Sequence, residues 1–176
     1  MAQCAVSNEK LFGGAVVLEV ARGCPDTNPA EKDWLRFMAG TSKGLDLSLN
    51  TVTSDADDTG AYTENIVTNA DLTISFDGEV RKKDADKEAG FHKTFKYILD
   101  ELSARRQPTF WVRFDQGGSL LTAYMVITSF SSSGGTNDLY TCSAEFKVAA
   151  GDTVQIELVE GETGGSGGGN GGNTEE

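Results

Sequence analysis

The sequence predicts a mostly β (α+β) fold, in which two packed antiparallel sheets form a β-sandwich or barrel-like domain beside one α-helix. Several segments alternate apolar and polar residues with the period of two that marks a half-buried strand. Short turns rich in glycine, asparagine and aspartate separate these segments. Only residues 91–106 show the 3.6-residue period of an amphipathic helix. Strands on both sides of a single helix are typical of this fold class.

Three strands are predicted in the N-terminal third. Residues 15–21 are rich in valine and precede Gly23 and Pro25, which predicts a strand that ends in a loop. Residues 34–38 form a short apolar run that we interpret as a second strand. In residues 44–53 apolar and polar side chains alternate, so we expect one buried face, formed by Leu45, Leu47 and Leu49.

A long β-hairpin follows, with its loop at residues 54–64. The loop is acidic, and the chain is expected to return through residues 62–67 and 71–77 as the antiparallel partner strand. Asp77-Gly78 is a tight-turn signal at the end of that strand. The charged residues 81–88 then lead into the helix.

The predicted helix, residues 91–106, is expected to brace a sheet. Arg105 and Arg106 in its last turn complement the helix dipole, and Pro108 ends it. Glu101 precedes Arg105 by four residues, which is the favourable order for an ion pair. The apolar face begins at Phe91, and we expect the helix to pack through its other members: Phe95, Ile98, Leu99 and Leu102.

Four more strands are predicted after the helix, at residues 110–114, 120–130, 140–148 and 154–158. Alternation in the first of them places three side chains on a core face: Phe110, Val112 and Phe114. Cys142 alternates with polar residues in the third strand, so we expect it to be a small buried hydrophobe. Residues 1–160 are therefore predicted to form one domain, whereas residues 161–176 form a glycine-rich tail that is expected to be disordered.

Composition excludes several function classes. The formal net charge of −12 argues against binding nucleic acid through phosphate contacts. The three cysteines show no metal-binding spacing, and reduced cytoplasmic synthesis fits them best. We expect no signal peptide and no membrane anchor, because no apolar segment approaches the ~20 residues that a membrane span needs.

Candidate catalytic and metal sites are weak in this sequence. The loop from Asp55 to Gly60 resembles the start of a calcium loop, but the bidentate glutamate at position 12 is missing, and a solvated loop is the better interpretation. The single histidine, His92, has no paired nucleophile nearby in the sequence. The sequence therefore predicts neither an enzyme nor a cofactor.

One resemblance covers roughly residues 10–159. From Asp71 the order runs from DLTISFDGEV to the helix HKTFKYILDELSARR, and then to the strands in GGSLLTAYMVITSFSSS and LYTCSAEFKVAAGD. This order resembles the tail tube (major tail) proteins of bacteriophages with long non-contractile tails. The resemblance implies a virion protein, made in the host bacterial cytoplasm, whose rings stack into a tube. The rings would be hexameric, and double-stranded DNA would pass through them without specific binding.

The resemblance also implies partners and contact residues. The partners would be further copies of the chain and the tape measure, tail terminator and tail tip proteins. The lumen would be acidic, with candidates on the wet faces of strands: Asp46, Glu145 and Glu157. Contacts between rings would join the hairpin loop to a basic run, with these candidates: Asp55, Asp57, Asp58, Glu64, Arg81, Lys82 and Lys83.

Two alternative functions stay open at this stage, as does a second interpretation of the hairpin loop. A β-sandwich binding module could recognise carbohydrate or another protein through its loops. A tail terminator or head–tail completion protein would form a related ring that does not stack. The hairpin loop could equally be a merely solvated loop.

Overall fold

The mostly β fold with one α-helix is confirmed by a computed structural model, which describes residues 10–54 and 62–159. The acidic residues Asp55, Asp57 and Asp58 and the predicted tail at residues 161–176 lie outside the described residues. Single 3₁₀ turns lie at Gly13–Ala15 and Glu31–Asp33. The other elements are β1 (Val17–Ala21), β2 (Leu35–Phe37), β3 (Ala39–Ser54), β4 (Glu64–Glu79), β5 (Glu88–Ala89), α1 (Phe91–Ser103), β6 (Thr109–Asp115), β7 (Ser119–Ser133) and β8 (Thr141–Leu158).

The strands form one sheet that folds back over itself. In the described part of the chain its order is β3-β4-β8-β7-β6-β1-β2-β5, and every pair is antiparallel except β2 with β5. Phe37 on β2 lies with its ring centroid 4.9 Å from that of Phe76 on β4 and 5.2 Å from that of Phe146 on β8. The two packed layers that the sequence predicts are therefore two regions of one continuous sheet.

Met38 forms the sharp bend between β2 and β3. Its φ of 41° is in the left-handed region, which a non-glycine residue rarely adopts. Its side chain is buried, with Sδ 3.6 Å from the thiol sulfur of Cys142. Packing thus holds the backbone in this conformation, and the chain passes directly from one end of the sheet to the other.

Alternation predicted the main core correctly. Phe110, Val112 and Phe114 on β6 are buried, as are Cys142 and Phe146 on β8. Trp111, on the opposite face of β6, is also buried, and its indole nitrogen donates a hydrogen bond to the carbonyl of Cys24 at 3.0 Å. The loop after β1 therefore covers part of the outer face, which local alternation does not reveal.

The helix α1 ends earlier than the sequence predicts. Arg105 adopts a left-handed conformation with φ 57°, and the backbone N–H of Arg106 donates to the carbonyl of Glu101 at 2.8 Å. This is a Schellman termination, which stops the helix at Ser103. The reversal also changes the ion pair: Glu101 binds Arg106 rather than Arg105, at 2.7 and 2.9 Å. Hydrogen bonding from Arg106 lowers the pKa of Glu101.

Gly78 does not form the predicted turn and lies instead within β4, paired with Gly40 and Cys142. A Cβ at Gly78 would lie 2.5 Å from the carbonyl oxygen of Ala39 and 2.7 Å from the Phe76 ring. Glycine is needed here because backbone and ring approach closely, not because the chain turns.

Burial raises the pKa of the Cys142 thiol, which predicts selective labelling of the native protein. In a Cys4→Ser variant, we expect a thiol reagent at pH 8 to modify the exposed Cys24 and to leave Cys142 unmodified. A raised pKa means a smaller thiolate fraction at this pH, and the buried sulfur is also shielded. Mass spectrometry should count one label in the native protein and two after unfolding in urea; two labels in the native protein would contradict this.

Candidate assembly surfaces

A two-stranded ribbon extends beyond the rest of the sheet. Strands β3 and β4 pair along their whole length, from Ala39 opposite Glu79 to Ser54 opposite Glu64. β4 pairs with β8 only through residues 73–79. The remaining part, residues 47–54 of β3 and 64–72 of β4, is here called the ribbon. An isolated two-stranded ribbon is at best marginally stable in water, so this part of the chain is poorly supported by its own subunit.

The face of β3 that the sequence predicts to be buried is uncovered in the subunit. Leu45 is 39% exposed, Leu47 59% and Leu49 55%. These three residues, here called the leucine row, lie on the core side of the sheet, because Leu45 is opposite the buried Ile74. The expectation of burial within the subunit is therefore wrong: Leu47 and Leu49 lie beyond Thr73, where the pairing of β4 with β8 ends, and Leu45 lies at this boundary.

Two strand edges are free in the part of the sheet that is formed by β3, β4, β8 and the end of β7, which is here called the inner sheet. Strand β3 is the last strand of the sheet, so its outer edge has no partner among the described residues. Strand β7 pairs with β6 through residues 120–126, whereas residues 129–133 pair only with β8. Free edges of this kind are templates for pairing with another chain.

The helix packs into the subunit through a different face from the predicted one. Of the four predicted packing residues only Ile98 is buried, together with Thr94. The other three are half-exposed and are here called the helix patch: Phe95 at 46%, Leu99 at 47% and Leu102 at 55%. The prediction is wrong for these three residues because the helix lies against the edge of the core and buries a narrow stripe instead of its full apolar face.

The helix patch continues an aromatic cluster. Phe91 stacks on Phe130 of β7 with a centroid distance of 5.1 Å, and Phe95 lies 6.0 Å from Phe91 and 6.4 Å from Phe130. Phe130 lies on the core side of β7, opposite the buried Ala144. The exposed apolar surface of α1 therefore begins at the free part of β7.

The structure brings two of the three predicted acidic candidates to one face. Asp46 is opposite Thr73, which is in turn opposite Lys147, and Glu145 precedes Lys147 on the same face of β8. Asp71 joins them and accepts a hydrogen bond from Lys147 at 2.9 Å. This bond raises the pKa of Lys147, with further contributions from Glu145 and Asp46.

Asp77 lies on the same face and accepts a hydrogen bond from Ser143 at 2.6 Å. This outer face of β3, β4 and β8 therefore carries Asp46, Asp71, Asp77 and Glu145 together with Lys147, and is here called the acidic face. The alternation of Leu72, Ile74 and Phe76 already indicated that Asp71 and Asp77 point the other way. Glu157 is exposed at the far end of β8, opposite Leu120, and does not join this group.

The predicted basic run lies in a well-anchored loop between β4 and β5. Arg81 forms an ion pair with Glu88 at 3.1 Å, and its carbonyl contacts Nε2 of the exposed His92 at 3.2 Å. Lys82 and Lys83 are exposed. Glu64 is the first residue of β4, at the opposite end of that strand from this loop. Lys82 and Lys83 are thus exposed to solvent in a loop whose backbone is held in place by these contacts.

Asp84 connects this loop to the start of α1. Its carboxylate accepts hydrogen bonds from the backbone N–H groups of His92 at 3.4 Å and Lys93 at 2.7 Å. These are among the helix N–H groups that have no partner within the helix, and a negative charge is favourable at this end of the dipole. Local sequence did not reveal this cap because Asp84 lies outside the usual N-cap position, which Gly90 occupies.

A cavity of about 480 Å³ lies between β1, β2, β6 and α1. Its floor includes the buried residues Val20 and Phe110, and its rim includes three basic residues, Arg22, Lys32 and Lys93, and the acidic Asp33. An apolar floor with a basic rim suits an apolar group that carries negative charge.

The residues described in the structure contain no group of three or more histidine, cysteine or acidic residues that could hold a metal ion. No helix in this part of the chain is long and apolar enough to span a membrane.

Comparison with solved structures identifies the fold. The chain superposes on a chain of the tail of an empty gene transfer agent particle, computed with helical refinement and C6 symmetry, with a TM-score of 0.60 and 14% identity over 86% of this chain and 100% of that chain. It is similar to the SPP1 tail tube (TM-score 0.54, 14% identity, 80% of this chain and 77% of that chain).

A chain of the six-fold symmetrised anti-feeding prophage baseplate is also similar, with a TM-score of 0.53 and 10% identity over 89% of this chain and 97% of that chain. No protein-family model matches the sequence, and no curated protein matches it significantly. The resemblance to tail tube proteins is confirmed at the level of the fold.

We expect Asp84→Ala to lower the free energy of unfolding by ~1 kcal/mol, as for other helix caps, because two backbone donors lose their acceptor. Asp86→Ala is the matched control: Asp86 is an exposed aspartate in the same loop, and its removal should change stability by less than ~0.5 kcal/mol. Urea unfolding measures both. Equal effects of the two variants would show that the cap does not stabilise the helix.

Proposed function

We propose that this chain is a structural virion protein that forms hexameric rings, and that these rings stack into a bacteriophage tail tube. The observation that carries the proposal is the uncovered leucine row. Strict alternation along β3 is the pattern of a strand with one buried face, yet the subunit leaves that face in water. Full burial of a leucine side chain contributes roughly 1.5–3 kcal/mol, so covering this row would favour association.

The free edges of β3 and β7 support the same proposal. A ring in which each subunit extends the sheet of the next removes every exposed edge of the inner sheet. The C6 symmetry reported for the gene transfer agent tail supports six subunits in each ring. Repetition of one heterologous contact, with translation along an axis, then builds a tube.

The acidic face is suited to line the lumen. Asp46 and Glu145, with Asp71 and Asp77, would present negative charge to passing DNA, and like charges would prevent the DNA from adhering. Glu157 lies apart from this face, at the far end of β8, and is a separate candidate for the lumen. Double-stranded DNA would pass through such a conduit during ejection without specific binding.

Stacking of rings would use the hairpin loop and the basic run. Asp55, Asp57, Asp58 and the neighbouring Glu64 would meet Lys82 and Lys83 of the next ring, where the exposed lysines stand on an anchored loop. Arg81 forms an ion pair with Glu88 of its own subunit. It would therefore contribute to the stacking contact mainly by its place in the loop and less by its charge. The assembled tube would bind the tape measure, tail terminator and tail tip proteins in the virion, after synthesis in the host bacterial cytoplasm.

A binding module is the second candidate function. The cavity with its basic rim favours it, because such a site suits a negatively charged ligand with an apolar part. This candidate requires no association between copies of the chain.

The two candidates differ in oligomeric state. We expect the purified protein, at high concentration and over a range of salt, to form rings or tubes that are visible by negative-stain electron microscopy. The apolar leucine row supplies the driving force for ring formation, so rings should persist when salt screens charges. A protein that stays strictly monomeric under all these conditions would contradict the tube proposal and favour the binding module.

Reversing charges tests how the rings stack. We expect replacement of Lys82 and Lys83 by glutamate to leave rings intact but to shorten or abolish tubes, because the acidic loop would then face like charge. Replacing Asp55, Asp57 and Asp58 by lysine in the same chain should restore tubes. Lys87→Glu, an exposed lysine of the same loop, is the control and should leave tube length unchanged. Tubes of normal length in the Lys82/Lys83 variant would refute this contact.

A further inference from the structure

We propose that a cleft between β2 and the loop before β5 binds a phosphate-type oxyanion, either free inorganic phosphate or the phosphate group of a larger molecule. The cleft has a volume of about 360 Å³ and lies beside the bend at Met38. Neither the acidic face nor the exposed lysines Lys82 and Lys83 line it. The site is therefore separate from the surfaces that the proposed function uses, and it goes beyond that function.

The charges that line the cleft do not balance. They are three cations and one carboxylate: Arg36, Arg81, Lys87 and Glu88. Glu88 is buried and already forms an ion pair with Arg81 at 3.1 Å. Among the residues that the structure describes, Arg36 and Lys87 have no carboxylate within ion-pair distance. The cleft thus carries an excess of positive charge on a chain whose formal net charge is −12.

Strand pairing explains why Arg36 stays without an ion pair. It is directly opposite two glutamates, Glu19 on β1 and Glu88 on β5, and cross-strand neighbours of opposite charge normally pair. Glu19 binds Arg113 at 2.7 Å instead, and Glu88 binds Arg81. Each carboxylate beside Arg36 is therefore already bonded to another arginine, and the guanidinium of Arg36 keeps donors for a ligand.

A further cation lies near this arginine. Burial lowers the pKa of Lys43 on β3, and the positive charge of Arg36 lowers the pKa further. Lys43 also forms no ion pair within the described part of the chain. The two cations are thus close enough to repel each other, and an anion bound at Arg36 would offset this repulsion.

The cleft is formed before any ligand binds. The carbonyl of Ala85, which lines the cleft, accepts a hydrogen bond from Nζ of Lys93 at 2.7 Å. Asp84 fastens the same loop to the start of α1, and Glu88 holds Arg81. A ligand would therefore not have to order this loop, which lowers the entropic cost of binding.

The chemistry of the lining favours a doubly charged oxyanion. The planar fork of arginine matches the oxygens of a phosphate, and lysine adds a point charge. A phosphate ester carries about −1.5 to −2 charges at neutral pH, so it would neutralise more of the excess than chloride or a carboxylate could. The cleft volume lies toward the lower end of the ~300–1,000 Å³ that is typical of small-molecule sites.

Isothermal titration calorimetry at pH 8 and constant ionic strength tests the site. We expect inorganic phosphate to bind the full-length protein saturably. Arg36→Gln should weaken this binding roughly tenfold or more, because charge-assisted hydrogen bonds are lost, and Lys87→Gln should weaken it as well. Lys82→Gln is the matched control: Lys82 is an exposed lysine of the same loop that does not line the cleft, and its variant should bind like the wild type.

Adenosine monophosphate, titrated in the same way, distinguishes the two sources of the phosphate group. If it binds more tightly than inorganic phosphate, and Arg36→Gln weakens both, the site is assigned to the phosphate of a larger molecule. Equal or weaker binding of adenosine monophosphate assigns the site to the free anion.

Two results would overturn the proposal. One is no saturable binding of either ligand up to about 10 mM, at which a site with a Kd of ~1 mM would be nearly full. The other is equal weakening by Lys82→Gln and by Arg36→Gln or Lys87→Gln, in variants whose fold is intact by circular dichroism. Sedimentation of the same samples records the assembly state. Binding to a monomer or to a tube supports the site equally, so its failure is distinguishable from failure of the tube proposal.

Discussion

The bend at Met38 is the constraint on which the rest of the structure depends. One residue separates β2 from β3, yet these strands lie toward opposite ends of the sheet, so the sheet must fold over itself for the chain to be continuous. The fold brings Phe37 onto Phe76 and Phe146, and these edge-to-face rings form the centre of the core. A left-handed backbone at Met38 is tolerated because its side chain is buried against Cys142.

This bend also determines what is left uncovered. Phe37 of β2 covers the core side of β4 and β8, whereas the leucine row stays exposed. The helix closes the opposite side of the core through Ile98 and Thr94 and leaves half of its apolar face outside. Two apolar surfaces and two free strand edges therefore result from the same arrangement. A subunit built in this way is complete in its core and incomplete at its margins, which is the property expected of a repeating part in an assembly.

Electrostatics follows the same division. Ion pairs tie the subunit together where the loop after β1 crosses the sheet: Arg113 binds Glu19 at 2.7 Å and Glu31 at 2.8 Å. On the acidic face, by contrast, one lysine stands among four carboxylates, so the negative charge is not neutralised locally. The exposed basic residues Lys82 and Lys83 are presented on a separate loop, which Asp84 fastens to the helix. The acidic face and the exposed Lys82 and Lys83 thus belong to different elements of the subunit.

The sequence by itself determined the strands other than the short β5, the helix, the hairpin and the core faces of β6 and β8, because these depend on periodicity within a few residues. It also indicated that Leu45, Leu47 and Leu49 belong to a buried face, and that Asp46 and Glu145 belong to a wet one. Only the tertiary structure decided that the leucine row is open in the subunit, that Asp71 joins Asp46, and that Glu157 stands apart. It also decided that α1 ends at Ser103 and packs through Ile98. The physical reason is that periodicity records which face is shielded from water, whereas what shields it depends on contacts between residues far apart in the chain.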